Sequence, residues 1–333
     1  MFENLSAYIK SRSDAGLIFI VSYNDVVGSR VTAKLLEAGY PQVRVGIGMD
    51  SDASVFKDLV GKGANLVKFD WDCNEDFATA LCGVRTVFCD IPTDHENWQS
   101  HFPVFLEACR KAGVKHFVKL SFFHALDKTR IHIMKNFHVS LPAENEFTRV
   151  PLIKMHGDCD ELLIKCKGID YTILFATHLM STPLVTQKQH LKNCELYGCA
   201  PANSKVSYIS PNDVAECAAK ILVRPEKHAR VGYHLCGPLV TDEQVAQAIG
   251  KSIHKDIKYR RVPLATFEKE EETKEGEPSF VAHDLVALEK MKASGIEADF
   301  HSNDLERVCG HAAETFDEYL SATNVMSNLE LVA

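Results

Sequence analysis

Apolar positions in the first half of the chain fall into one repeating unit: a short β-branched or aromatic run, a break, then a stretch with apolar residues near helical spacing. Residues 17–23, 43–48, 65–70, 86–91 and 116–122 read as strands, and 27–38, 53–60, 75–81 and 98–112 as the helices between them. Nearly continuous apolar strands mark a sheet buried on both faces, and their alternation with helices marks a parallel one. The predicted fold is α/β, a doubly wound parallel sheet.

After residue 122 the rhythm changes. Residues 125–146 have no clear period and carry polar and basic side chains, an excursion long enough to suggest a functional role. Pro151 suits a first helical turn, so 152–167 reads as a helix closed by Gly168, with a strand at 171–176. The remainder reads as mixed α/β, with strands 206–210, 232–235 and 257–262 and helices 211–223 and 242–252. The acidic run 268–277 reads as a solvated surface segment.

Composition narrows the function classes. The 333 residues are 46% apolar, enough for a sizeable core, and 45 acidic against 37 basic residues give a net charge of -8 with no Lys/Arg-rich run. Nucleic acids and anionic membrane surfaces are therefore poor candidate partners. Apolar stretches such as 16–23 are far shorter than a membrane span, and no basic-then-hydrophobic leader opens the chain, so a cytoplasmic protein is expected. Eleven cysteines, with no C-x-x-C pair and most inside apolar runs (Cys82, Cys89, Cys166, Cys217, Cys236), read as reduced, buried thiols. Fifteen histidines, among them His124, His132 and His138, show no metal-ligand spacing, and no metal site is expected.

Five segments, in order, resemble the NmrA-like branch of the atypical short-chain dehydrogenases/reductases: "GVRTVFCDIP", "FLEACRKAGVKHFVKLSF", "HGDCDELLIKCKGIDYTIL", "YISPNDVAECAAKILVRPEKHARVGYHLCGP" and "ETFDEYL". The resemblance spans nearly the whole chain. It implies a Rossmann-type half for NAD(P) in residues 1–150. Residues 151–333 would supply the rest of the sheet and a smaller carboxy-terminal α/β lobe over the nicotinamide position.

The first turn departs from that family's pattern, which is close to T-G-A-T-G-x-x-G. Here "VSYNDVVG" keeps only Gly28, with Ser22 and Asp25 where the first two glycines would stand. Those glycines let a diphosphate approach backbone N–H groups at a helix amino terminus, and Asp25 would place a carboxylate beside it. At an effective dielectric near 20, two unit charges about 4 Å apart repel by roughly 4 kcal/mol, so dinucleotide binding is expected to be weak. Either Asp25 caps the helix that follows, or the loop swings so that Ser22, Asn24 and the amides of Val26 and Val27 still receive the cofactor. At the end of the second strand, Gly48 and Met49 stand where NADP-binding members commonly carry a basic residue, followed by Asp50 and Asp52. NAD is expected over NADP. Asp70 and Trp71 match the adenine position, and Ile91 and Pro92 the one near the nicotinamide ribose.

The usual Tyr-x-x-x-Lys pair is absent. In its place stand Lys154 and His156, with Asp160 four residues on and so on the same helical face. A carboxylate-oriented imidazole can act as general acid or base, whereas a packing role for His156 with Asp160 anchoring backbone is the other reading. Lys119, Ser121 and His124 lie at the carboxyl edge of the fifth strand, where Ser121 would meet cofactor or substrate and Lys119 could be a solvated strand residue. His178 and Met180 would line the substrate side, although Phe175-Ala176 replaces the family's Arg-Pro. Two functions stay open. One is an NAD(P)H-dependent oxidoreductase with His156, Lys154 and Ser121 as catalytic candidates, acting on a small carbonyl or conjugated compound. The other is a non-catalytic redox sensor or scaffold that binds a small molecule or a protein partner.

Overall fold

The predicted runs become strands β1 (Leu17–Ile20), β2 (Val43–Ile47), β3 (Asn65–Lys68), β4 (Val84–Cys89), β5 (His116–Phe122) and β6 (Asp170–Ala176). They are followed by β7 (His178–Leu179), β8 (Glu195–Gly198), β9 (Lys205–Ile209), β10 (Val231–Leu235), β11 (Leu239–Thr241) and β12 (Lys258–Arg261). The computed structural model describes residues 16–21, 26–51, 53–91, 98–126, 150–273, 279–298 and 300–322. Among these, seven strands form one parallel sheet in the order β10-β6-β5-β4-β1-β2-β3. The chain runs outward from β1 to β3, crosses back to β4 and runs outward again. Ligands of such sheets bind beyond the carboxyl ends of the strands at that reversal.

The helices are α1 (Val26–Glu37), α2 (Lys57–Gly61), α3 (Asn74–Leu81), α4 (Trp98–Ala112), α5 (Pro151–Lys165), α6 (Thr182–Thr186) and α7 (Lys188–Lys192). Then come α8 (Pro211–Val223), α9 (Asp242–Ile253), α10 (Leu264–Glu272), α11 (Ser279–Ser294), α12 (Asp304–Cys309) and α13 (Phe316–Ala322). One face of the sheet is covered by α1 and α8, whose Val27, Val31, Leu35, Val214, Ala218 and Ile221 share a core with Ile18, Val45 and Leu174. The other is covered by α3, α4 and α5, through an aromatic cluster of Phe69, Trp71, Phe77, Trp98, Phe102 and Phe105. Burial on both faces is why these strands read as unbroken apolar runs.

The lobe is smaller. Strands β7, β9 and β11 form one sheet, β8 and β12 another, and both pack with α9 and α13 around Met180, Val206, Ile249 and Tyr319. Its helices start on recognisable signals: Ser210 accepts from the Asn212 N–H at 3.1 Å before Pro211, and Thr241 and Gln244 form a capping box. Gly237 joins β10 to the lobe where a Cβ would lie 1.7 Å from the Tyr208 carbonyl oxygen, so no side chain fits there.

Two expectations are corrected. The acidic run is not wholly solvated: its first part belongs to α10, and Glu271 is buried. Cys82 is exposed and Cys166 half-buried, because each lies just past the end of a helix, α3 and α5, rather than inside it. Helix α11 was not predicted at all. No helix among the described residues is long and apolar enough to cross a membrane.

Candidate functional site

A cavity of about 620 Å³ opens at the carboxyl edge of the main sheet. Val21 after β1, Gly46 to Gly48 at the end of β2, Phe69 and Trp71 after β3, and Asp90 and Ile91 after β4 form one side, with Val26 at the start of α1. Leu120 to Phe122 of β5 and Ala176 to Leu179 beyond β6 form the floor. Leu152 and His156 of α5, the α6 face and Val281, Asp284, Leu285 and Leu288 of α11 close the lobe side. The size lies within the roughly 300–1,000 Å³ of small-molecule and cofactor sites.

The walls are mostly apolar, and two of their polar groups, Ser121 and His156, rest on a buried ion pair behind the lining. Lys119 and Asp160 are both inaccessible to solvent and pair at 2.7 Å, Nζ to Oδ1. Ser121 donates its hydroxyl to Asp160 Oδ2 at 2.5 Å, and Lys119 Nζ lies 3.4 Å from Nδ1 of His156. Burial first, and the Lys119 ammonium second, hold the His156 imidazole well below its ordinary pKa. The neutral ring must accept at Nδ1 from the ammonium, which places its proton on Nε2.

The shared helical face holds, but the orienting role expected of Asp160 is corrected. Asp160 does not orient His156; it neutralises Lys119, and the lysine is the group that meets the imidazole. Lys119 is buried in β5 rather than solvated. Lys154 sits on the exposed side of α5, paired with Asp158 at 2.6 Å, and does not line the cavity. One helical turn separates neighbours on the same face, but residues 154 and 156 point nearly opposite ways.

Of the cofactor candidates, Val26, Gly48, Trp71 and Ile91 line the cavity, as do Ser121 and His156. Val27 and Gly28 are buried in the first turn of α1, off the lining, and Met49 is half exposed. Asp70 is off the lining, its Oδ1 accepting the Asp72 N–H at 2.9 Å. Ser22, Asn24, Asp25, Asp52, Pro92, His132 and His138 lie outside the described residues. His124 is buried against Phe123 and Phe300, and Met180 is in the lobe core, so neither reaches the cavity.

Several groups at the site carry no motif. Lys68 of β3 donates to the carbonyls of Gly48, Met49 and Ser51 at 3.1, 2.7 and 2.6 Å, clasping the turn after β2. His178 Nε2 lies 2.8 Å from Glu297 Oε1, which accepts its N–H. Asp284 accepts the Leu152 N–H at 2.9 Å at the start of α5, and burial raises its carboxyl pKa. Each pair joins residues far apart in sequence, so no local spacing signals it. Among the described residues one cluster has metal-ligand proximity, Glu216, Cys309 and His311, but it lies off the cavity and Lys220 already holds Glu216 at 2.8 Å.

Residues 26–225 match the model of a family described as NAD(P)H-binding. Prestalk A differentiation protein A of Dictyostelium discoideum is 22% identical over 254 residues, 76% of this chain and 74% of that one. An NADPH-dependent quinone oxidoreductase of Escherichia coli, complexed with NADPH, superposes with a TM-score of 0.72 at 21% identity, covering 92% of this chain and 99% of that one. For the Citrobacter sp. triphenylmethane reductase complexed with NADP(H), the TM-score is 0.70 at 19% identity over 92% and 99% of the chains. For a variant of NmrA it is 0.67 at 13% identity, over 93% and 96%.

Proposed function

Since the chain belongs to the NAD(P)H-binding family, we propose that it is an NAD(P)H-dependent oxidoreductase acting on a carbonyl or conjugated compound. The carrying observation is the single cavity that runs from the ends of β1 to β4, past Ser121 and His156, to the lobe. Its first side suits a dinucleotide. The approach at Gly46 and Gly48 is free of side chains, Trp71 and Ile91 offer apolar faces, and the start of α1 opens on it at Val26. We read residues 1–150 as the cofactor half and the rest as completing the sheet and covering the substrate.

A bound nicotinamide ring supplies reducing equivalents as hydride. The chain's own groups then divide the remaining work. The Ser121 hydroxyl donates its hydrogen bond to Asp160, so its oxygen lone pairs are left to accept from a ligand. His156, on the cavity wall, presents Nε2–H as a neutral hydrogen-bond donor to a bound ligand. The buried Lys119–Asp160 pair fixes both, since each of its members contacts one of them.

For the cofactor we propose NAD over NADP. No side chain at Gly48 or Met49 is basic, and Lys68 spends its three donors on backbone carbonyls. Binding is weakened by Ser22 and Asp25. Calorimetric titration with NADH and NADPH is the test: NADH should bind more tightly, and Asp25→Gly with Ser22→Gly should strengthen both by about tenfold or more. Micromolar NADPH binding by the unaltered protein would overturn the preference. Uptake of neither cofactor by either protein would favour the sensor or scaffold reading.

A further inference from the structure

We propose that His178 and Glu297 form the proton-donating pair of this site, and that the lobe end of the cavity seats a bulky apolar ketone or aldehyde whose oxygen meets His178. This rests on the reading of the chain as a reductase. His178 is set rigidly: β7 holds it opposite Tyr208 of β9, and its ring stands edge-on to Phe122 at 5.4 Å. Glu297 reaches it from the turn after α11, and both side chains are buried. The carboxylate is an acceptor only, so it takes the Nε2–H and leaves Nδ1 as the remaining polar atom of a ring whose residue lines the cavity. The other oxygen, Oε2, is buried with no hydrogen-bond partner among the described residues, so the ring is the partner that fixes this carboxylate.

His156 cannot do this work. Its Nδ1 faces an ammonium, which opposes a second proton on the ring. Around His178 the charged neighbours differ. Asp284 lines the same cavity, while Asp242, Glu271, Glu289 and a single cation, Lys292, share with His178 a smaller cavity of about 60 Å³. Lys292 is held by Asp242 at 3.1 Å and Glu289 at 2.5 Å. Glu297, in contact with the ring, is the carboxylate that would accompany the imidazolium in the proposed step.

The step balances. The carbonyl π bond breaks, hydride from reduced nicotinamide forms the new C–H bond, and the Nδ1 proton of His178 forms the O–H bond. The carbonyl is reduced to an alcohol and NAD(P)H is oxidised to NAD(P)⁺. The ring is left neutral with Nε2–H still on Glu297, and solvent restores its proton. Specificity comes from the walls beside it: Phe122, Leu179, Val185, Leu285 and Leu288 offer hydrocarbon to an apolar body. His178 would be a catalytic residue and Glu297 a positioning residue.

The test uses 2-acetylnaphthalene, with acetone as the small control. Nitrogen NMR of cofactor-free, histidine-labelled protein should show the His178 ring signal, identified by its loss in His178→Asn, shifting with 2-acetylnaphthalene and not with acetone. In steady-state NAD(P)H oxidation, His178→Asn should keep KM within about threefold and lower kcat by about a hundredfold or more. Glu297→Gln should lower kcat about tenfold with KM unchanged, a split that a purely structural role would not give. An unmoved His178 signal, or a kcat within threefold in His178→Asn, would overturn the proposal. If calorimetry shows no cofactor uptake, the reductase reading fails by itself, and the NMR titration alone decides the subsite.

Discussion

Lys119 and Asp160 are fully buried, and neither has water to fall back on. Breaking such a pair from one side strands a charge, a loss of about 3–5 kcal/mol, whereas exchanging both members for apolar groups of similar volume can be nearly neutral. Asp160→Asn and Lys119→Met should each lower the unfolding free energy measured by denaturant titration by that order, and Lys119→Met with Asp160→Leu should recover most of it. Equal losses in single and double variants would show that the pair is not a unit. The sequence places His156 and Asp160 on one helical face, which is correct, since both are buried on α5. What it lacks is the third party: Lys119 lies on β5, and only the packing of α5 against that strand brings its ammonium between them.

Elements differ in how plainly the chain announces them. β5, α4 and α8 begin and end where periodicity and Pro211 put them. α11 escapes because it buries Asp284, Glu289 and Lys292 alongside Ala282, Val286 and Met291, so its polar and apolar positions do not separate into faces. That hidden helix carries one wall of the cavity. The joint between sheet and lobe is similarly silent, a lone Gly237 with a backbone oxygen where its side chain would be. Gly237→Ala should cost about 3 kcal/mol or more and lower the melting temperature accordingly, because the Tyr208 backbone must move. An unchanged melting curve would show that the joint yields freely.

Over the whole molecule, burial sets a pH limit. His116 and His124 are pushed down to about 4 and about 3, His234 to about 3, and His156 well below its ordinary value, burial being the first cause in each. Since the unfolded chain takes up these protons near pH 6.5, the stability they hold is fully present above that pH. It is lost as pH falls towards the folded values, at about 1.4 kcal/mol per unit for each ring. Asp213, raised to about 6, and Asp284, also raised, titrate the other way and offset part. Against a typical stability of about 5–15 kcal/mol, acid unfolding followed by circular dichroism should centre near pH 5. A midpoint near pH 3 would contradict it. The layered fold was legible because doubly buried strands write it as repeated apolar runs. The cavity was legible only along the sheet edge, since its lobe wall is assembled from residues more than a hundred positions apart.

The chain holds two tryptophans, and they touch: the rings of Trp71 and Trp98 lie 4.4 Å apart at 78°, with Trp71 on the cavity wall. The protein's red-edge ultraviolet emission therefore comes from one spot, beside the proposed adenosine seat. Filling that seat should dim it, with energy passing to a reduced nicotinamide held in the same cavity. Trp71→Phe should leave a fainter response from the fully buried Trp98. The molecule thus carries its own optical gauge of occupancy, readable without label or substrate.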